Sequence, residues 1–512
     1  MFSCVANASS NGWARTFRSN DHGTVAVIFA LSLVPLILSM GLAVDLSRSY
    51  MARAKLTAAL DSAALAVGAN PNITQAQITT TVTNYLGANF PNTNLVTVSA
   101  PSVTPITASS TTVTVSATAN VKTTFMALGG FSTVAVSAQS TVALAKSLEV
   151  ALVLDNTGSL SHVDPATGKT NISALKTAAG HLVVTLFGTT TTNNPQTRVG
   201  IVPYVAAVNP GDVATGMIKN PPALTASDPT GWTGCVVERT STFATVASAS
   251  TALAAAGAVA ADLDTPVSAG ANNYLTQYLW PKTGHPNPSN PTNTLDWTTA
   301  TINKGPFTAG KTNPGPNQSC PTPVVPITNG LQPLLDSIGA DSSGNGITDK
   351  GMEDWQNGGT IGSIGMAWGY RLLSPLGPYA AAGKETVSNW NTSPWQKAVV
   401  LMTDGVNNIN VNPPPPAVGI IDYNGAPGAP PTVAAVDKQE EAVCDALKAN
   451  NVVIYSVFLN SGSPAGPSLA YCAGTVAGQG DANYYYVAQN QAALFAAFDS
   501  IANSLTKLRV TK

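Results

Sequence analysis

The stretch LEVALVLDNTGS, Leu148–Ser159, has the form of a buried strand that opens directly into a polar loop. A second stretch, KAVVLMTDG (Lys397–Gly405), repeats it: an apolar run closed by Thr403, Asp404 and Gly405. Between and after them the hydrophobic period changes to that of helices at Ile172–Phe187, Val433–Ala449 and a final segment with Leu494, Phe495, Phe498, Ile501, Leu505 and Leu508 on one face. Arg198–Val205 and Val452–Phe458 read as further buried strands. Short apolar strands alternating with helices predict an α/β fold with a doubly wound, Rossmann-like parallel sheet. In such a sheet the ligand site lies beyond the carboxyl ends of the strands. Asp155 and Asp404 both stand at such ends.

The chain has 512 residues, enough for about three domains at ~150 residues each. Only 10% are charged, against roughly 25% in an ordinary soluble protein, and 43 Gly and 36 Pro are present. The net charge is −2 and no Lys/Arg cluster occurs, which argues against a nucleic-acid partner. A hydrophobic fraction of 44% sustains packed cores and excludes wholesale disorder. Richness in Ala, Thr, Ser and Asn with so little charge fits an exported protein better than a cytosolic enzyme.

The membrane signal is near the start. Gly23–Val44 carries no charge and is long enough to cross a hydrocarbon core of ~30 Å. It is longer than the apolar core of a cleaved signal peptide and runs straight on into Leu46–Gly68, so an uncleaved transmembrane anchor is expected. The flanking charges orient it poorly, because Arg48, Arg53 and Lys55 beyond it outnumber Arg15 and Arg18 before it. Cysteines decide. Cys4 precedes the anchor, while Cys235, Cys320, Cys444 and Cys472 follow it, an even set without metal-ligand spacing. Two disulfides in an oxidising compartment account for that set, with buried free thiols as the alternative, since spacing does not establish pairing. The bulk of the chain is therefore expected outside the cytoplasm.

The expected organisation is a cytoplasmic tail (1–22), a transmembrane helix (23–44), a stalk helix (45–69), a small β-containing module (70–146) and the α/β domain (147–512). Leu42, Leu46, Tyr50, Arg53, Leu56, Leu60 and Ala64 recur at helical spacing along the stalk, which Asn70 and Pro71 end. In the module, Val113–Val121 and Val134–Val142 alternate with polar residues on either side of Gly129-Gly130. A stretch of about 211–351, rich in Pro, Gly and Asn, reads as a long irregular insert in the α/β domain.

Asp155-x-Thr157-x-Ser159 resembles the metal-ion-dependent adhesion site of von Willebrand factor A domains, with Thr157 where Ser is usual. Asp404 in LMTDG matches that family's late Asp, and Thr360 in NGGTIG its isolated Thr. The resemblance implies that Asp155, Thr157, Ser159, Thr360 and Asp404 hold one Mg²⁺ (or Mn²⁺). Two hydroxyls on one loop can ligate a hard cation together while two carboxylates help through bound water, a ligand set suited to Mg²⁺. Two carboxylates about neutralise the ion, leaving it able to accept an acid from a protein partner. Asp21–Ala66 resembles the N-terminal segment of TadE/TadG-like Flp (tight adherence) pilus assembly proteins. Asn357–Pro375, the stretch Cys444–Cys472 and the last helix with LRVTK are similar to the later, C-terminal part of TadG-like proteins. Ile28 stands where a prepilin-type processing site has Glu, so peptidase cleavage is not expected there. The expected pairs are Cys235–Cys320, stapling the insert, and Cys444–Cys472, closing a loop around the Val452–Phe458 strand.

Other features carry no chemistry. Gly305–Thr312 matches the nucleotide-binding pattern GxxxxGK[ST], but no apolar strand precedes it and Asn313-Pro314-Gly315-Pro316 forbids the helix that must follow, so no nucleotide is expected. His162, His181 and His285 pair with no nucleophile motif, and Pro413–Pro416 reads as a surface loop near Asp404. The function expected is a non-enzymatic, inner-membrane-anchored component of pilus assembly that binds a partner through the metal. The alternative is an envelope adhesin using the same site outside a pilus machine.

Overall fold

The computed structural model describes residues 22–70, 73–106, 112–144, 146–188, 193–217, 234–237, 252–265, 276–277, 285–287, 290–295, 320–354, 359–408, 433–462 and 464–509. Cys4, Arg15, Arg18, Gly305–Thr312 and Pro413–Pro416 lie outside these residues, as do most of the proposed tail and much of 211–351. The chain divides into two compact units at Leu144/Ala145.

The first unit is built on one helix, α1 (His22–Gly68), in which the apolar run and the stalk are continuous. Val25–Met40 is exposed throughout, as an apolar surface destined for lipid would be. From Gly41 onward one stripe turns inward: Gly41, Asp45, Ser49, Ala52, Leu56, Ala59, Leu60 and Ala63. In the lower part of α1 the inward positions are Gly41, Asp45 and Ser49, while Leu42, Leu46 and Tyr50 are 43%, 51% and 77% exposed. Small and polar residues are chosen there because a loop of the module comes too close for Leu. Helix α2 (Gln75–Asn89) follows, started by a capping box in which Thr74 accepts from the Gln77 amide and Gln77 accepts from the Thr74 amide. Strands β1 (Val96–Val98), β2 (Ser102–Val103), β3 (Thr112–Lys122) and β4 (Thr133–Ala143) form an antiparallel sheet. Strands β3 and β4 pair in unbroken register from Thr112↔Ala143 to Lys122↔Thr133, so the period-two reading and the Gly129-Gly130 turn hold. Val113, Val115, Ala117, Ala119 and Val121 face inward and meet Leu56, Leu60, Val67, Ile78, Val82 and Leu86 in one core.

The second unit is a six-stranded sheet wrapped by helices. Its strands are β5 (Ser147–Asp155), β6 (Thr197–Tyr204), β7 (Val325–Thr328), β8 (Trp395–Thr403), β9 (Val453–Leu459) and β10 (Tyr485–Ala488). They lie in the order β7-β6-β5-β8-β9-β10, all parallel except β7, which runs antiparallel at one edge. Numbered by appearance this is 3-2-1-4-5-6, the doubly wound order, which reverses between β5 and β8. All nine residues of β5 are buried because both faces are covered. Ala151 and Val153 join the core under α5 (Gly362–Leu373) and α6 (Val433–Ala449). Leu148, Val150, Leu152 and Leu154 join the opposite core, under α3 (Asn171–Phe187), α4 (Leu331–Ile338) and α7 (Gln491–Arg509). A Cβ on Gly365 or Gly369 of α5 would come within 2.9 Å of Val153, so glycine lets this helix lie close against the sheet.

The 211–351 stretch, expected to be irregular, contributes to this core. Its last part supplies edge strand β7 and helix α4, with Leu331, Leu334, Leu335 and Ile338 buried. Pro326 hid the strand from a propensity reading, but an edge position with a shifted register tolerates a residue without an N–H. Both expected disulfides are present, Cys235–Cys320 and Cys444–Cys472, with Cα separations of 5.7 and 5.2 Å.

Candidate metal centre at the sheet's switch point

The carboxyl ends of β5 and β8 lie side by side, with Leu154 opposite Met402 in register, and the loops leaving them diverge. Asp155 closes β5 and is fully buried. One of its oxygens accepts the Thr157 amide at 2.7 Å, which folds the loop back, and the other accepts the Thr403 hydroxyl at 2.6 Å. Thr157 and Ser159 hydroxyls lie 3.0 Å apart on the same side of that loop. Ser159 then donates to Asp404 Oδ1 at 2.5 Å. Four of the five residues anticipated as ligands thus form one hydrogen-bonded chain.

Thr360, the fifth, reaches the site through backbone. It exchanges two amide hydrogen bonds with Asn408, at 2.8 and 2.7 Å, four residues beyond Asp404. Its neighbour Ile361 donates to Val205 at the end of β6. The Thr360 loop is therefore fastened between the ends of β6 and β8, and α5 begins at Gly362, whose amide donates to Asn407 Oδ1 at 2.7 Å. Its side chain makes no hydrogen bond to the other four among the described residues.

Burial raises the Asp155 carboxyl despite the Thr403 and Thr157 hydrogen bonds that oppose it. Asp404 is pushed up to about 7, by burial first and then by the neighbouring Asp155 charge. Asp404 Oδ2 is buried and has no hydrogen-bond partner. Among the described residues no Lys, Arg or His forms an ion pair with either carboxylate. Two buried acids that repel each other, an orphaned carboxylate oxygen and two converging hydroxyls make a donor set of hard oxygens with negative charge in excess. These residues fit a divalent cation such as Mg²⁺ or Mn²⁺.

Three further residues shape the site. Thr403 orients Asp155, and its place beside Asp404 in LMTDG was the signal for it. Ser461 donates to the Asp404 carbonyl at 3.1 Å from the loop after β9. Asn407 is held by Asp437 and Glu440 at 2.7 and 2.8 Å, so it presents its oxygen to Gly362. Glu440 is raised to about 7 by burial, against hydrogen bonds from Asn407 and Ser468. Nothing in the sequence singled out Asn407 or Glu440, which lie on different elements and meet only in the fold.

Residues 23–70 match the family described as putative Flp pilus-assembly TadE/G-like. The N-terminal segment is TadE/G-like. No curated protein matches the chain. Among solved structures, the chain is similar to the vWF domain of the type V pili tip protein Mfa5 from Porphyromonas gingivalis. That match has 10% identity and a TM-score of 0.33, covering 72% of this chain and 98% of that one. The pilus adhesin SpaC from Lactobacillus rhamnosus GG matches at 11% identity and a TM-score of 0.31, over 78% of this chain and 34% of SpaC. The PilB minor pilin from Streptococcus sanguinis matches at 10% identity and a TM-score of 0.30, over 81% and 79% of the two chains. The TadE/G-like helix is followed in the chain by a doubly wound sheet with its polar cluster at the switch point.

Proposed function

We propose that this protein is a non-enzymatic component of Flp/Tad pilus assembly, anchored in the bacterial inner membrane by α1. Its A domain, on the periplasmic side, binds a protein partner through a divalent cation. The observation that carries the reading is the Asp155–Thr157–Ser159–Asp404 chain with its unpartnered Asp404 oxygen, set at the switch point behind a TadE/G-like segment. Asp155, Thr157, Ser159, Thr360 and Asp404 would hold Mg²⁺ or Mn²⁺, directly or through water. When bound, the ion supplies an open coordination position with Lewis acidity. The protein's own groups keep that position rigid, because the Thr403 hydroxyl and the Thr157 amide fix the Asp155 carboxylate while the Ser461 hydroxyl holds the Asp404 backbone.

The chemistry argues for association rather than turnover. A hydrolytic site would need a base beside the metal-bound water. Each acid here is engaged as a prospective ligand or in holding a loop. The paired cysteines fit an oxidising compartment for the A domain. An adhesin acting outside a pilus machine would use the same metal chemistry, and the TadE/G-like segment favours assembly over it. Co-purification from membranes, with and without a chelator, tests the proposal. Pilus assembly proteins should be recovered with the wild-type chain and lost with EDTA or with Asp404→Asn, and recovery indifferent to both would overturn it.

A further inference from the structure

The hairpin joining β3 to β4 ends in a tip, Phe125–Phe131, made of a single 3-10 turn (Met126–Gly129) and Gly130 at φ 91°. Its placement is fixed by Asp45 of α1. The Asp45 carboxylate, almost wholly buried, accepts the backbone amides of Thr124, Phe125 and Met126 at 2.8–3.1 Å. One turn toward the N-terminus, the Phe125 ring lies on Gly41 so closely that a Cβ there would collide with it. Asp45 is the first charge after the apolar run Gly23–Val44, which spans about 33 Å as a helix, against a hydrocarbon core of about 30 Å. Gly41 lies about 6 Å below Asp45 along the axis. The tip is therefore held at the level where the apolar run ends.

What it presents there is apolar. Leu128 is 76% exposed and Phe131 65% exposed. No charged residue occurs from Thr123 to Ala145. Just beyond this level the surface changes character. Arg48, which donates to Thr124 Oγ1 at 3.2 Å, lines a cavity of about 370 Å³ with Lys55, Lys122 and Phe90 and no acidic residue. Tyr50 stands exposed on the same turns of α1. Apolar residues at the end of the hydrocarbon, then an aromatic and a collar of cations, is the order a bilayer interface demands.

We infer that the Phe125–Phe131 tip inserts Leu128 and Phe131 into the outer leaflet, with Arg48, Lys55 and Lys122 above it on anionic lipid headgroups. The module would thus stand on the membrane by two feet, fixing its rotation about α1. The occupant is lipid rather than protein because the apolar tip is continuous with the lipid-facing surface of α1 and pinned at its edge. The inference rests on the membrane-anchor reading of α1.

The test reconstitutes the full chain into bilayers containing phosphatidylglycerol and a phospholipid with a photoreactive group high on its acyl chain, then maps adducts by mass spectrometry. Adducts are expected in both Val25–Val44 and Phe125–Phe131, and L128N/F131N should lose those in the tip while keeping those in the helix. Adducts in the helix alone, or cross-links from the tip to a second protein, overturn the inference and leave the anchor intact. Adducts in neither segment overturn both.

Discussion

Ser159 donates a 2.5 Å hydrogen bond to Asp404, a residue 245 positions away in sequence. The contact joins the loop after the first strand of the sheet to the loop after the fourth, and it leaves the other Asp404 oxygen buried without a partner. In the metal-free protein this arrangement opposes stability. It places two carboxylates that repel each other out of water, an arrangement whose natural relief is a cation.

Asp404→Asn should therefore separate stability from binding. The amide keeps the acceptor for Ser159 and removes the repulsion with Asp155. In EDTA the variant should melt at or above the wild-type temperature, while calorimetry shows Mg²⁺ and Mn²⁺ affinity lost. A variant that melts well below wild type in EDTA would contradict the electrostatic account. Asp155→Ala is a less clean test, because it strands the Thr403 hydroxyl and the Thr157 amide at a cost of about 1–3 kcal/mol each.

The pH dependence has a definite sign. Asp404 is raised to about 7 in the folded protein, and its unfolded value is about 3.9. Between those values the folded state holds the extra proton, so stability of the metal-free protein declines as pH rises from about 4 through 7. Cation binding requires the ionised form and should strengthen over the upper part of that range. Glu385, raised to about 8 by burial, and Glu440 slope the metal-free curve the same way. The contribution of the site is thus the difference between wild type and Asp404→Asn, measured by thermal melting from pH 5 to 8 in EDTA. Equal slopes for the two proteins would remove Asp404 from the account.

How much of this was legible in the sequence depended on distance along the chain. The loop Asp155–Ser159 and the strand-end Asp404 were visible because strand, turn and hydroxyl spacing are local signals. Strand β7 was missed because Pro326 and the surrounding prolines look like loop, and only the neighbouring β6 makes Val325–Thr328 a strand. Which lower face of α1 turns inward was not legible for a related reason. Hydrophobic periodicity marks Leu42, Leu46 and Tyr50 as helical, whereas the contact is made by Gly41 and Asp45 with a loop some 80 residues on. Asn407 and Glu440 gave no sequence signal, since an amide bridging two elements has no periodicity.

At the opposite end of the sheet a buried ionic network offers a control. Glu149 accepts Lys397 at 2.5 Å, Arg198 at 2.9 Å, and both the amide and hydroxyl of Ser388 at 2.8 Å. Lys397→Met leaves Glu149 short of its closest cation and should destabilise the protein by about 3–5 kcal/mol. The site lies about 20 Å along β5 from Glu149, so metal affinity should be unchanged. Urea unfolding and calorimetry on the same preparation check both halves.

The Cys444–Cys472 disulfide closes a loop with a sequence separation of 28, and Cys444 stands one turn from Glu440 on α6. Chain-entropy arithmetic gives about 3.5 kcal/mol for a loop of that length. Replacing both cysteines with alanine should lower stability by that order in urea unfolding. Non-reducing peptide mapping of protein from membranes should recover both bridged pairs, and four free thiols would remove the argument for an oxidising compartment.

The most exposed prediction concerns what the cation does. With two carboxylates about neutralising a divalent ion, a third acid from a partner can join without displacing either. If that is the contact, changing the partner's acid to its amide and adding a chelator should reduce binding to a similar degree. If the ion only braces the loops leaving β5 and β8, the partner's amide should bind normally while chelation still weakens capture, because Asp155 and Asp404 would again repel. A pull-down with both treatments separates the two cases. Asp404→Asn adds a third arm: where the ion only braces, the variant relieves the same repulsion and should restore binding in EDTA. Where the partner's acid is the ligand, no variant that loses the ion can recover it.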